Sequence, residues 1–121
     1  MRGLILCAVL GIVLAEFLNS KNERRLDGYR FQYHDDTGHY LVIKGLDCYV
    51  ADVPVGSTLQ TKLQDNDHLD DLERKVIGVV ESGTGLNRVD LKTIVDRYQD
   101  TLTRALCFRS TMYIMDLSGK I

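Results

Sequence analysis

The chain has 121 residues, with 15 Lys and Arg against 17 Asp and Glu and a net charge of −2 at neutral pH. That length holds one domain. A mildly acidic balance without a basic block argues against nucleic acid or an anionic membrane surface as the main partner.

The first element is a short positive start, Met1-Arg2-Gly3, followed by the apolar run LILCAVLGIVLA. Twelve residues are too few to span a bilayer and suit a secretory signal. Val13 and Ala15 fit the small-residue positions before a cleavage at Glu16, so residues 1–15 read as a signal peptide and the chain as secreted. No second apolar stretch approaches spanning length, so no stable membrane span is expected. Loss of Arg2 leaves 14 basic against 17 acidic residues.

Cys7 departs with the signal, leaving Cys48 and Cys107 in an oxidising compartment. An even pair there reads as one disulfide. The alternative is two free thiols kept for catalysis or metal, but no CxxC pair or clustered histidine supports it. A chain this small draws limited stability from its core. Closing a loop of about 60 residues contributes about 4 kcal/mol in the chain-entropy model.

Residues 16–28 form a charged, flexible lead-in whose Arg24-Arg25 is either a processing site or an ordinary surface pair. In the next segment Tyr29, Phe31 and Tyr33 alternate with Arg30, Gln32 and His34, the period of a half-buried strand. The same parity turns Asp35 inward as a buried carboxyl whose ionised form is disfavoured, a pH-sensing group. If the Asp-Asp-Thr-Gly turn begins one residue earlier, Asp35 is a solvated turn residue, with His34 and His39 flanking the turn in solvent.

HYLVIKG and DCYVADV read as strands covered on both faces and joined by a hairpin at Gly45. Pro54 ends that region and Ser57 caps a helix carrying Leu59 and Leu63. Leu69 and Leu72 fall out of phase with that pair, so a break near Asn66 is expected. VIGVV, residues 76–80, reads as a buried strand closed by Gly83-Thr84-Gly85. Asn87 and Asp90 resemble a capping box opening a long helix with Leu91, Ile94, Val95, Tyr98, Leu102 and Ala105 on one stripe. Cys107 lies off that stripe, so the helix should end near Leu106. TMYIMDL, residues 111–117, is the last strand.

The resulting order, β-β-β-α-β-α-β, is an α+β fold with two helical layers over a mixed or antiparallel sheet. No calcium loop, phosphate loop, zinc motif or nucleophile elbow is found. No catalytic residue, metal or cofactor is expected.

The stretches YHDDTGHYLVIKGLDCYVADVPVGSTLQTKL and GLNRVDLKTIVDRYQDTLTRALC together resemble a BRICHOS domain, over residues 29–117, leaving 118–121 as a tail. The likeness rests on an aspartate on the first strand, a Cys-Tyr-Val run on a later one, a Pro and Ser-x-Leu helix opening, and a second helix ending in cysteine. It implies a mostly antiparallel sheet of about five strands with a helix on each face and one disulfide between Cys48 and Cys107. It places the family aspartate at Asp35, with Asp36 as the neighbour that competes for the assignment. It also implies a chaperone-like precursor module that shields an aggregation-prone β segment from fibril formation. Only fourteen residues follow Cys107. The client is therefore expected in trans or in a segment beyond Ile121, with a homo-oligomer as a second partner state. The competing expectation is an inhibitor or ligand-binding module of cystatin-like, helix-on-sheet type.

Overall fold

The computed structural model describes Glu23–Ile121; the expected signal segment, residues 1–15, and residues 16–22 lie outside the described residues. The elements are β1 (Arg24–Leu26), β2 (Tyr29–His34), β3 (His39–Lys44), β4 (Asp47–Asp52), α1 (Thr58–Gln64) and α2 (Leu69–Ser82). They continue with β5 (Leu86–Val89), α3 (Leu91–Tyr98), α4 (Thr101–Leu106) and β6 (Thr111–Met115).

One six-stranded sheet runs in the order β1-β2-β3-β4-β6-β5. All neighbours are antiparallel except β4 and β6, which are parallel. Each face carries its own core. On one side Tyr29, Phe31, Tyr40, Val42, Tyr49 and Ala51 pack under α1 and α2. On the other, Leu41, Ile43, Cys48, Val50 and Met112 pack under α3 and α4 through Ile94 and Cys107. The expected α+β fold with two helical layers is therefore present, with one more strand than expected.

That extra strand lies in the lead-in. Asp27 and Gly28 both hold positive φ, 52° and 81°, in a two-residue turn that pairs Leu26 with Tyr29. Asp-Gly is a favoured pair for this hairpin turn, so residues 24–26 are an edge strand rather than flexible chain. Arg24 is tied to α2, donating at 2.7 Å to both Glu73 and Asp70. Glu73 is almost fully buried.

The hairpin at Gly45, the Ser57 cap and the break before Leu69 occur as expected. VIGVV does not form a strand. Leu72, Glu73, Val76, Ile77, Val79 and Val80 are buried on one helix while Arg74, Lys75 and Gly78 are exposed. That is the 3.6-residue period, and it extends the leucine stripe of the same helix. The strand placed there is instead β5, some ten residues later.

Gly78 sits mid-helix with no atom within 4 Å of an added Cβ. Gly78→Ala should therefore raise the unfolding free energy by about 0.8–1 kcal/mol, read from urea denaturation. A destabilised variant would contradict a helix at this position.

The long second helix is also two pieces. Asp90 caps α3 without a side-chain hydrogen bond, Gln99 adopts a left-handed φ of 55°, and Asp100 caps α4. The Asn87 start is overturned because residues 86–89 pair with β6. The expected end at Leu106 is observed.

Candidate functional site

Cys48 and Cys107 form a disulfide with sulfurs 2.14 Å and Cα atoms 6.2 Å apart, both fully buried. Cys107 is the C-cap of α4, its amide donating to the Thr103 carbonyl. The bond pins that end of α4 to β4. Six residues make too few hydrogen bonds for a self-sufficient helix, so its position depends on what holds its two ends.

The other end is held by charge. Asp100 Oδ1 accepts from the Leu102 amide at 3.0 Å, the N-cap bond. Its Oδ2 lies 2.5 Å from His34 Nδ1 on β2, 3.2 Å from His39 Nε2 on β3, and accepts from Thr103 Oγ1 at 2.7 Å. His34 and His39 are cross-strand partners flanking the turn, which places both rings on the same face. Their centroids are 4.5 Å apart, and the Tyr98 ring lies 4.4 Å from that of His39. Both histidines are fully buried. Their expected place in solvent is thus corrected: α3 and α4 cover this face.

Donor counting sets the charge of His34. Glu23 accepts from Gln32 Nε2 at 2.9 Å, which leaves Gln32 Oε1 facing His34 Nε2 at 2.9 Å. An amide oxygen and a carboxylate can only accept, so both nitrogens of His34 face acceptors, the arrangement that an imidazolium paired with Asp100 satisfies. His39 Nδ1 meets Thr37 Oγ1 at 2.6 Å and its Nε2 meets Thr103 Oγ1 at 3.0 Å. Among the described residues no buried side-chain polar atom lacks a partner.

Burial opposes ionisation of Asp100, but hydrogen bonds from His34, His39 and Thr103 outweigh it and hold the carboxyl well below the usual carboxylate range. Glu23 behaves alike: burial raises it, while donors from Gln32, Arg30 and Arg25 bring it below its ordinary value. Beside the cluster, Tyr98 donates to Asp52, which also pairs with Arg97. Burial, then that carboxylate, push the Tyr98 hydroxyl up.

Asp35 does not supply the buried carboxyl. It is exposed in the turn between β2 and β3, where Asp36 accepts from the Thr37 amide. The strand ends at His34, so the inward parity stops one residue short of it. Asp100 was missed because the apolar stripe from Leu91 to Ala105 runs past it as though the helix were continuous. The available signal was the Asp100-Thr101 cap pattern within that stripe.

A second feature is a groove of about 650 Å³ at the carboxyl ends of β4 and β6. Leu59, Ile114, Met115, Leu117 and Ile121 supply its apolar wall, and Asp52 and Asp116 stand among its polar lining.

Among the described residues no helix is long and apolar enough to cross a membrane. Comparison with protein-family models, curated proteins and solved structures finds no match to this chain.

Proposed function

We propose that this chain is a secreted BRICHOS-like chaperone or precursor module that takes up an extended, β-prone segment and keeps it from pairing with its own copies. The observation that carries this reading is the groove beside β4 and β6. Its volume is within the range of ordinary ligand sites, and its apolar wall runs along a strand end, where an extended peptide can lay alternate side chains. The sheet edges are poorer templates. β1 has three residues with Arg24 and Arg25 on it, and β5 has four with Asn87 and Arg88 exposed. Short, charged edges discourage strand addition. The Cys48–Cys107 bond accords with secretion, and the five strands β2–β6 accord in number with the sheet that the resemblance implies, β1 being added at one edge.

The cystatin-like reading expects a long helix early in the chain, whereas the first described helix follows four strands.

The test is fibril formation by an amyloid-forming peptide in the presence of the purified chain at a substoichiometric ratio. The lag phase should lengthen several-fold, and Thr58→Trp, on the exposed groove wall, should remove most of that effect without unfolding the protein. Unchanged lag and elongation with the wild-type chain would overturn the reading.

A further inference from the structure

We propose that His34, His39 and Asp100 form a binding site for one divalent transition-metal cation of the Zn²⁺ class. This inference is independent of the chaperone reading.

Three observations carry it. The first is the donor set. His34 Nδ1, His39 Nε2 and an Asp100 oxygen all lie within 4.8 Å of one another. Two imidazoles and one carboxylate make a known zinc combination, with a fourth position open to water. Two nitrogen donors also select against calcium and magnesium, which prefer oxygen.

The second is spacing. Tetrahedral ligands at about 2.0–2.1 Å from zinc stand about 3.3 Å apart. The His39–Asp100 contact is already 3.2 Å, and His39 to Thr103 Oγ1 is 3.0 Å. The His34–Asp100 contact, at 2.5 Å, has to open by about 0.8 Å, and the two ring nitrogens lie within 4.8 Å of each other. Thr103 Oγ1 stands beside two of the ligand atoms, 3.0 Å from His39 Nε2 and 2.7 Å from Asp100 Oδ2.

The third is the outer shell. Metal-bound histidines are usually oriented by a hydrogen bond from the other ring nitrogen. Here His34 Nε2 donates to Gln32 Oε1, which is itself set by Glu23, and His39 Nδ1 meets Thr37 Oγ1. The outward nitrogen of each ring is thus occupied, and the inward nitrogens converge on one carboxylate oxygen.

In binding, the cation takes the lone pairs of His34 Nδ1 and His39 Nε2. Each ring then binds as a neutral imidazole, any proton on its inward nitrogen leaving to solvent and the remaining N–H lying on the outward nitrogen, toward Gln32 Oε1 and Thr37 Oγ1. Two neutral rings and the Asp100 carboxylate leave one positive charge at the centre, with Glu23 linked to it through Gln32. Asp100 is the only ligand with measurable exposure, so entry is from its side, at the break between α3 and α4.

The experiment titrates the full, disulfide-intact chain with Zn²⁺ alone against a chromophoric zinc indicator, and in parallel follows the histidine ring NMR signals. The expected result is one Zn²⁺ per chain at micromolar or tighter affinity. The His34 and His39 signals should shift together while those of His68, exposed and paired with Asp65, stay in place. Co²⁺ substituted for Zn²⁺ should give the intense visible absorption of a four-coordinate site. Thr37→Val, which alters only the outer shell, should weaken binding about 10- to 100-fold. Asp100→Asn should abolish it, and the wild-type ring signals keep the test decisive if that variant does not fold. Absence of binding at micromolar Zn²⁺, or shifts at His68 with the buried rings unmoved, would overturn the proposal and leave the cluster a proton-bridged ion pair.

Discussion

Replacing Cys48 and Cys107 together by alanine should lower the unfolding free energy by about 4 kcal/mol. The bond closes a loop of sequence separation 59, and both sulfurs are fully buried. Without it the unfolded chain regains the entropy of that loop, and α4 loses one of its two anchors. Alanine avoids the cost of placing two hydroxyls in an apolar layer among Leu41, Val50 and Met112. Urea unfolding of the oxidised wild type and the variant measures the difference. Amide exchange in Thr101–Leu106 should accelerate more than in β3. A loss below about 1 kcal/mol would show that the tie does not constrain the fold as argued.

Asp100→Ala should cost about 3–5 kcal/mol, because it leaves the buried His34 ring without the carboxylate that its charged form requires. A lost helix cap alone costs about 1 kcal/mol. The excess over that value separates the two roles. Asp100→Asn keeps a side-chain acceptor for the Leu102 amide and should lose less. A double-mutant cycle of Asp100→Ala with His34→Leu should show strong coupling, since the second change removes the charge that the first strands. Additive effects would mean that the two residues do not interact.

These predictions concern parts of the molecule that were unequally legible in the chain. The β3–β4 hairpin was readable because both strands are buried on two faces and Gly45 marks the turn. The helix at Ser57 was readable from its cap and its two leucines. The Val76–Val80 error came from a window too short to see the helical period: β-branched residues favour strands only until packing decides. In α2 they continue a stripe that starts at Leu69 and is continued by Leu72 and Glu73, so the helix buries them better than a five-residue strand. Asp27-Gly28 was a readable hairpin signal, and passing over it made β1 appear as loose chain.

The site was harder to read. The pairing of Cys48 with Cys107 followed from counting cysteines in a chain whose first residues read as a secretory signal. The polar cluster did not, because its members lie up to 71 positions apart, from Gln32 and His34 to Asp100 and Thr103. Alternation assigned Gln32 and His34 to a wet face, correct for a sheet covered on one side only. Here α3 and α4 cover that face too, and the polar residues are buried as one satisfied network. Asp35 shows the same limit from the other side: its parity was sound, but the strand ended at His34.

The central claim is that α4 is clamped at both ends, by Cys107 and by Asp100, and so closes over a buried His34–Asp100 ion pair. It is tested most directly by nitrogen-15 NMR of the histidine rings in chelator-treated, disulfide-intact protein. Two slowly exchanging ring N–H signals on His34 are expected, both lost in the Asp100→Ala variant. A His34 ring carrying one proton, or exchanging with water as fast as exposed His68, would contradict it.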